Sequence, residues 1–153
     1  MTGPFGGGLL ALLLSTACAT AGTLTASRED GTTIARIAVA DGDGWCILWH
    51  HSVKGFQVSD CYVNRGGLMV LVRSHAPDFA AGLGHIPGRG RQVSDGQGGY
   101  WIEDLNEPVP GNAYILRPGS MAVDHRIAAG DIVVSLSAQA ARERVRIALS
   151  PDD

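Results

Sequence analysis

Residues 45–62, WCILWHHSVKGFQVSDCY, constrain the fold more than any other segment of the chain. Both halves are rich in residues that pack well on a pleated surface, and a Lys-Gly pair lies where the chain would turn. Because side chains alternate along a strand, the adjacent His50 and His51 point to opposite faces. In such a pairing Cys46 falls directly opposite Cys61. The segment therefore predicts a β-hairpin with a cross-strand disulfide; two buried reduced thiols are the alternative.

Further short strands are predicted along the chain, because apolar and β-branched segments alternate with Gly, Pro and Asn turns. Glycine is frequent, with 21 residues, which favours turns over long helices. The predicted strands cover residues 33–40, 44–51, 56–63, 68–73, 100–103, 114–117, 121–124, 131–137 and 144–149. Residues 138–143 have helical character, and residues 74–99 form a long glycine-rich loop. The pattern predicts one all-β domain over residues 33–150, a small sandwich or partly closed barrel of antiparallel strands.

The N-terminal segment has the composition of an export signal. Residues 1–27 carry no charged side chain, and the apolar run LLALLL is followed by small residues with two A-x-A patterns. We predict a signal peptide over residues 1–21 and a linker over residues 22–32. The alternatives are a lipoprotein with its lipid on Cys18 and an uncleaved membrane anchor. Each of them places the domain outside the cytoplasm, in the periplasm or at the cell envelope.

The charge balance argues against nucleic-acid binding. The chain has 12 Lys and Arg against 15 Asp and Glu, a net charge of -3, whereas a nucleic-acid binder shows a basic face. The sequence lacks the motifs of zinc proteases, nucleotide-binding loops and serine hydrolases. None of its five histidines has metal-ligand spacing with another. The sequence therefore predicts no catalytic residue, no metal and no cofactor.

The remaining hypothesis is a site that contacts a ligand or a partner protein. The glycine-rich residues 80–90 combine backbone freedom with a guanidinium group, which pairs well with carboxylate or phosphate; solvated surface arginines are the alternative. His51 and Ser52 are neighbours and would point apart on a strand, so they do not predict a nucleophile with its base. The predicted contact residues are His51, Ser52, Gly82, Gly84, Arg89, Arg91 and His125.

Four short segments resemble the family called domain of unknown function eighteen-fifty. They are WHHSV at residues 49–53, FAAGLG at residues 79–84, GYWI at residues 99–102 and VDHRI at residues 123–127, and the resemblance extends over residues 45–149. The sequence departs from the pattern of this family at two places. Lys54 occupies a position where similar proteins often carry an acidic residue, for which Asp60 would compensate, and alanine replaces an expected glycine at residue 80 or 81.

This resemblance implies an exported domain that is often encoded beside, or fused to, the membrane subunits of TAXI-type TRAP transporters. It implies no established reaction. The leading hypothesis is a non-enzymatic accessory protein that contacts the membrane or solute-binding subunits of such a solute-uptake system, with membrane association through an N-terminal lipid or anchor. The second hypothesis is a module that binds a small ligand, an anion or a metal through the glycine-rich loop together with His51, Arg89 and His125. The third is a secreted hydrolase.

Overall fold

The computed structural model of the protein describes residues 21–53, 55–76 and 86–151. In these residues the chain forms twelve strands, one short α-helix and a single 3-10 turn at Pro110–Asn112. The strands are β1 (Gly22–Arg28), β2 (Thr33–Val39), β3 (Gly44–His50), β4 (Gln57–Arg65), β5 (Leu68–Ala76), β6 (Arg91–Ser94), β7 (Tyr100–Glu103), β8 (Glu107–Pro108), β9 (Ala113–Leu116), β10 (Arg126–Ala129), β11 (Ile132–Ser135) and β12 (Val145–Pro151). The helix is α1 (Leu136–Ala140), whose first turn is capped by the Ser135 hydroxyl accepting from the Ala138 N–H.

The strands form two antiparallel sheets. The smaller sheet has the order β2-β1-β12-β9, and the larger has the order β11-β10-β3-β4-β5-β7-β6, with β8 paired to β5. Successive strands β3, β4 and β5 are joined by short turns, so the centre of the larger sheet is a meander. The predicted all-β fold is confirmed, and it is a sandwich.

Strand alternation builds the core between the sheets. In β2, the buried Ala35, Ile37 and Val39 alternate with the exposed Arg36 and Ala38, as expected for a strand with one face on a core. The buried residues of the smaller sheet share one apolar cluster with those of the larger sheet, which include Trp45, Ile47, Met69 and Ile127. Burial of such side chains stabilises the fold by roughly 1.5 to 3 kcal/mol each.

The predicted linker over residues 22–32 is wrong, because its first seven residues form β1. Leu24 and Ala26 point into the core and are completely buried, and β1 is hydrogen-bonded to β2 on one side and to β12 on the other. The segment looks polar because Thr23 and Thr25 occupy alternate positions, but threonine is a good strand residue. The pairing partners on both sides, which are distant in sequence, decide its structure.

Two further predictions differ from the structure. Residues 121–124 were expected to be a strand but form a turn, in which the Val123 and Asp124 N–H groups both donate to the Ser120 carbonyl. Asp124 has φ 46°, a left-handed conformation that a strand excludes but that Asp tolerates. The loop predicted over residues 74–99 is interrupted, because β5 continues to Ala76 and β6 pairs with β7.

Residues 1–20, which include Cys18 and nearly all of the predicted signal peptide, lie outside the described part of the chain. Lys54 and residues 77–85 also lie outside it, and with them Gly82 and Gly84. Within residues 21–53, 55–76 and 86–151, no helix has the length and apolar character needed to span a membrane.

Candidate functional site

A covalently fixed hairpin underlies the candidate site. Strands β3 and β4 pair with Cys46 opposite Cys61, the register expected from the sequence, and the two sulfur atoms lie 2.09 Å apart in a disulfide. Beyond the last strand residue, the His51 N–H donates to the Phe56 carbonyl at 2.8 Å and the Gly55 N–H donates to the His51 carbonyl at 2.8 Å. The disulfide and these turn bonds fix the hairpin from its middle to its tip.

A second segment packs against the end of this hairpin. The His50 N–H donates to the Val123 carbonyl at 2.7 Å, which joins the turn that precedes β10 to the last residue of β3. The His125 ring stacks on Trp49 with a centroid separation of 5.7 Å and an interplanar angle of 7°. We call the surface formed here the hairpin-end surface; it comprises His51, Ser52, Val53, Met121 and His125.

His125 is held on three sides. Its ring Nδ1 accepts a hydrogen bond from the Gly119 N–H at 3.0 Å. Its backbone N–H donates to the Ser137 hydroxyl at 2.8 Å. The carbonyl of His125 accepts from the Leu136 N–H at 2.8 Å, at the start of α1. Burial lowers the pKa of His125, while the nearby Asp124 carboxylate acts in the opposite direction. An unprotonated Nδ1 is also what the bond from Gly119 requires, so the geometry and the pKa both favour the neutral ring.

This arrangement predicts a pH dependence of stability. Because the pKa of His125 is lower in the folded protein than in the unfolded chain, the folded state binds fewer protons once the pH falls below the unfolded value of about 6.5. The stability contributed by the neutral ring is present above that value and is lost as the pH falls toward the folded-state pKa. We expect His125→Phe, which keeps a ring on Trp49 but cannot titrate, to have a flatter stability profile between about pH 7.5 and about pH 5 than the wild type. Urea unfolding at several pH values measures this, and parallel profiles for the two proteins would contradict it.

His51 and Ser52 both lie in the turn of the hairpin. The Nδ1 of His51 accepts from the Val53 N–H at 3.3 Å, and the His51 ring leans on Phe56 at a centroid distance of 5.1 Å. Ser52 is exposed in the turn. The structure therefore engages the His51 ring within the turn itself, where it shapes the hairpin tip.

The two predicted arginines lie elsewhere and already have partners. Arg89 donates through Nε to Glu107 at 2.6 Å and through Nη2 to the other oxygen of the same carboxylate at 2.9 Å. Arg91, in β6, pairs with Glu103 at 2.8 Å and with Asp104 at 3.3 Å. Strand β6 is four steps from β3 in the larger sheet, and at about 4.8 Å a step this is roughly 19 Å. The structure thus brings His125 to the hairpin tip but does not bring Arg91 there.

A polar cluster on the inner face of the larger sheet was not predicted as a site. Asp60 lies opposite Ile47 in β3 and opposite Ser74 in β5, and it accepts a hydrogen bond from the Ser74 hydroxyl at 2.5 Å. Burial raises its pKa, while the bond from Ser74 and the charge of Arg89 oppose that rise. Burial also raises the pKa of the neighbouring Tyr62 to about 12. This cluster could have been found from the sequence, because Asp60 is an aspartate at an inward-facing position of a strand, between Val58 and Tyr62.

The outer face of the same sheet carries a histidine oriented by a carboxylate. His75 Nε2 lies 2.8 Å from Asp95 Oδ2, and both side chains are largely buried. The Trp101 ring contacts the His75 ring at a centroid distance of 4.7 Å, and the Arg73 guanidinium lies over Trp101 at 4.5 Å. The pKa of Asp95 is lowered, first by the Gln97 N–H that donates to it and then by His75. A carboxylate in this position fixes the orientation and the tautomer of an imidazole.

Within residues 21–53, 55–76 and 86–151, no three His, Cys, Asp or Glu side chains come together in a group that could hold a metal ion. His50 and His51 do lie near the hairpin tip, and His75 and His125 lie on other elements, as described above.

No curated protein and no solved structure matches the chain. The model of the family Domain of unknown function (DUF1850) matches residues 46–136, from the first cysteine of the hairpin to the first residue of α1. This segment is more than half of the 153 residues and includes the disulfide, the hairpin tip and His125. The chain therefore belongs to the DUF1850 family.

Proposed function

We propose that this protein is an exported, non-enzymatic accessory protein of a TAXI-type TRAP solute-uptake system, and that it contacts a transporter subunit through the hairpin-end surface. The association with such a system is what the family resemblance implies; the family model that matches residues 46–136 describes only a domain of unknown function. The uncharged, leucine-rich N-terminal segment with its small residues supports export.

The observation that carries the proposal is the exposure of two large apolar side chains on a rigid support. Val53 is 82% exposed at the hairpin tip, and Met121 is 57% exposed in the turn that packs against the hairpin. Exposed apolar residues that stand alone are common, but these two lie on segments joined by the bond from His50 to Val123 and by the stacking of Trp49 on His125. A partner that covered them would meet a surface whose backbone is already fixed, so little conformational entropy would be lost on binding.

The charge of this surface is consistent with an apolar contact. Asp124, which adjoins it, pairs with Arg126 at 3.3 Å and accepts a hydrogen bond from the Ser135 hydroxyl at 2.8 Å. The carboxylate is thus turned toward the domain and compensated there. Ser52, Val53 and Met121 carry no charge themselves, and methionine adapts well to an irregular apolar partner surface; Lys54, which follows Val53, lies outside the described residues.

We expect Val53→Asp and Met121→Asp each to weaken binding to the transporter subunits at least tenfold, because each would place a charge in an apolar contact. The matched control is Leu68→Asp, since Leu68 is 53% exposed beside the β4–β5 turn, at the end of β4 that is farther from the hairpin tip. The measurement is recovery of the membrane and solute-binding subunits with the tagged protein, together with solute uptake in cells.

Thermal unfolding of all three variants serves as the folding check, because exposed substitutions usually change stability by less than about 0.5 kcal/mol. Recovery and uptake that fall equally in the three variants would indicate a general effect of added charge and would contradict the proposed surface. Wild-type recovery and uptake in both hairpin-end variants would also contradict it.

A further inference from the structure

A concavity lined entirely by charged side chains lies at one end of the smaller sheet. Its volume is about 460 Å³. It is formed where β1 ends, where the chain leaves β9, and where it passes from α1 into β12. Its lining residues are Arg28, Glu29, Asp30, Arg117, Arg142, Glu143 and Arg144, and we call it the arginine concavity.

Two of the four arginines in this concavity have carboxylate partners. Arg28 Nε donates to Glu143 at 3.0 Å, and Arg28 Nη2 also donates to the Gln139 carbonyl. Arg144 pairs with Glu29 at 3.1 Å. The third carboxylate, Asp30, accepts a hydrogen bond from the Thr32 N–H at 2.8 Å within its own turn.

The other two arginines, Arg117 and Arg142, form no ion pair with any carboxylate in residues 21–53, 55–76 and 86–151. The four guanidinium groups outnumber the three carboxylates, so the concavity has an excess of positive charge. A concave surface with one sign of charge in excess raises the local concentration of ions of the opposite sign.

The backbone of Arg142 gives an independent indication that its position matters. Five residues other than glycine have a positive φ in the described part of the chain, and four of them are Asp or Asn, which tolerate this conformation. The fifth is Arg142, with φ 67°. Its N–H donates to the Pro118 carbonyl at 2.7 Å, so the strained residue is held beside Arg117. Glycine or asparagine would adopt this conformation at lower cost, and strained residues cluster where function requires the side chain.

We propose that the arginine concavity binds a small oxyanion, a carboxylate or a phosphate, through Arg117 and Arg142. A guanidinium group donates two parallel hydrogen bonds to either kind of anion, and two such groups without carboxylate partners suit one anion between them. The volume lies in the range of small-molecule sites and suits a small anion. This site is independent of the function proposed for the hairpin-end surface, and it lies mainly outside the segment that the family model matches.

The test is titration calorimetry of the full chain with inorganic phosphate and, separately, with succinate at low ionic strength. We expect binding of at least one of them, and an affinity at least tenfold lower in Arg142→Gly and in Arg117→Gln. Arg142→Gly removes the guanidinium but suits the left-handed backbone, so its thermal stability should equal or exceed that of the wild type. Arg142→Asn repeats the test with a second residue that tolerates this conformation.

The matched control is Arg36→Gln on β2, which removes the same charge from an exposed arginine outside the concavity. Unchanged binding in this control would support the site, whereas an equal loss in Arg36→Gln would show that only the net charge matters and would overturn the proposal. Absence of binding by both anions to the wild type would overturn it as well, and so would wild-type affinity in Arg142→Gly and Arg142→Asn. Phosphate binding without succinate binding, or the reverse, would identify the class of oxyanion.

Discussion

Replacing both Cys46 and Cys61 by alanine is expected to lower the free energy of unfolding by about 3 kcal/mol. The disulfide joins residues 15 positions apart, and in the chain-entropy model a cross-link of that span restricts the unfolded chain by about this amount. Cys61 is only 4% exposed, so its truncation also removes buried apolar contacts. Urea unfolding of the oxidised wild type and of the double variant measures the difference.

Reduction provides the matched control for this prediction. A thiol reductant should lower the stability of the wild type toward that of the double variant and should leave the double variant unchanged, because no other pair of cysteines remains in the chain. If the oxidised wild type labelled fully at both thiols, or if the reductant changed neither protein, the disulfide would have no role in stability.

The hairpin could be predicted because its information is local. The strand-forming residues, the turn and the spacing of the cysteines all lie within residues 45–62, and the observed pairing places Cys46 opposite Cys61. The same reasoning failed for β1, where local polarity suggested a linker. Leu24 and Ala26 become core residues only because β12, more than a hundred residues later, pairs alongside them.

The candidate sites depend still more on long-range contacts. His125 directly follows residues 121–124, which the sequence predicts as a strand, yet its ring lies on Trp49, 76 residues earlier, because β10 pairs with β3. The partners of Arg89 and Arg91 could not be predicted either, since pairing with Glu107 and Glu103 depends on the packing of β6 and β8 beside β5 and β7. The strain at Arg142 has no sequence signal, because arginine is not a residue expected at positive φ.

Replacing Asn64 by alanine is expected to lower the free energy of unfolding by about 2 to 4 kcal/mol, because the amide links the two sheets from a position that is 0% exposed. Its Nδ2 donates to the Val39 carbonyl of β2 at 2.9 Å, and its Oδ1 accepts from the Gly67 N–H at 2.9 Å. Alanine leaves both backbone groups without these partners and leaves a void beside Gly22, where the amide nitrogen packs closely. Chemical denaturation measures the loss, and a change below about 0.5 kcal/mol, typical of an exposed site, would contradict this role.

The Asn64→Asp variant separates the hydrogen bonds from the packing, because it keeps the shape of the side chain and the acceptor for Gly67. Near neutral pH we expect it to be at least as unstable as Asn64→Ala, since a buried carboxylate would face the Val39 carbonyl without a donor. Burial there raises the pKa of the introduced carboxyl group in the folded protein, so the folded state binds more protons than the unfolded chain. The difference in unfolding free energy between the wild type and Asn64→Asp should therefore shrink as the pH falls from about 7 to about 4, because the protonated carboxyl can donate to the Val39 carbonyl. Unfolding free energies across this range test the argument, and a deficit that stays constant would show that the donor to Val39 is not what holds the two sheets together at this position.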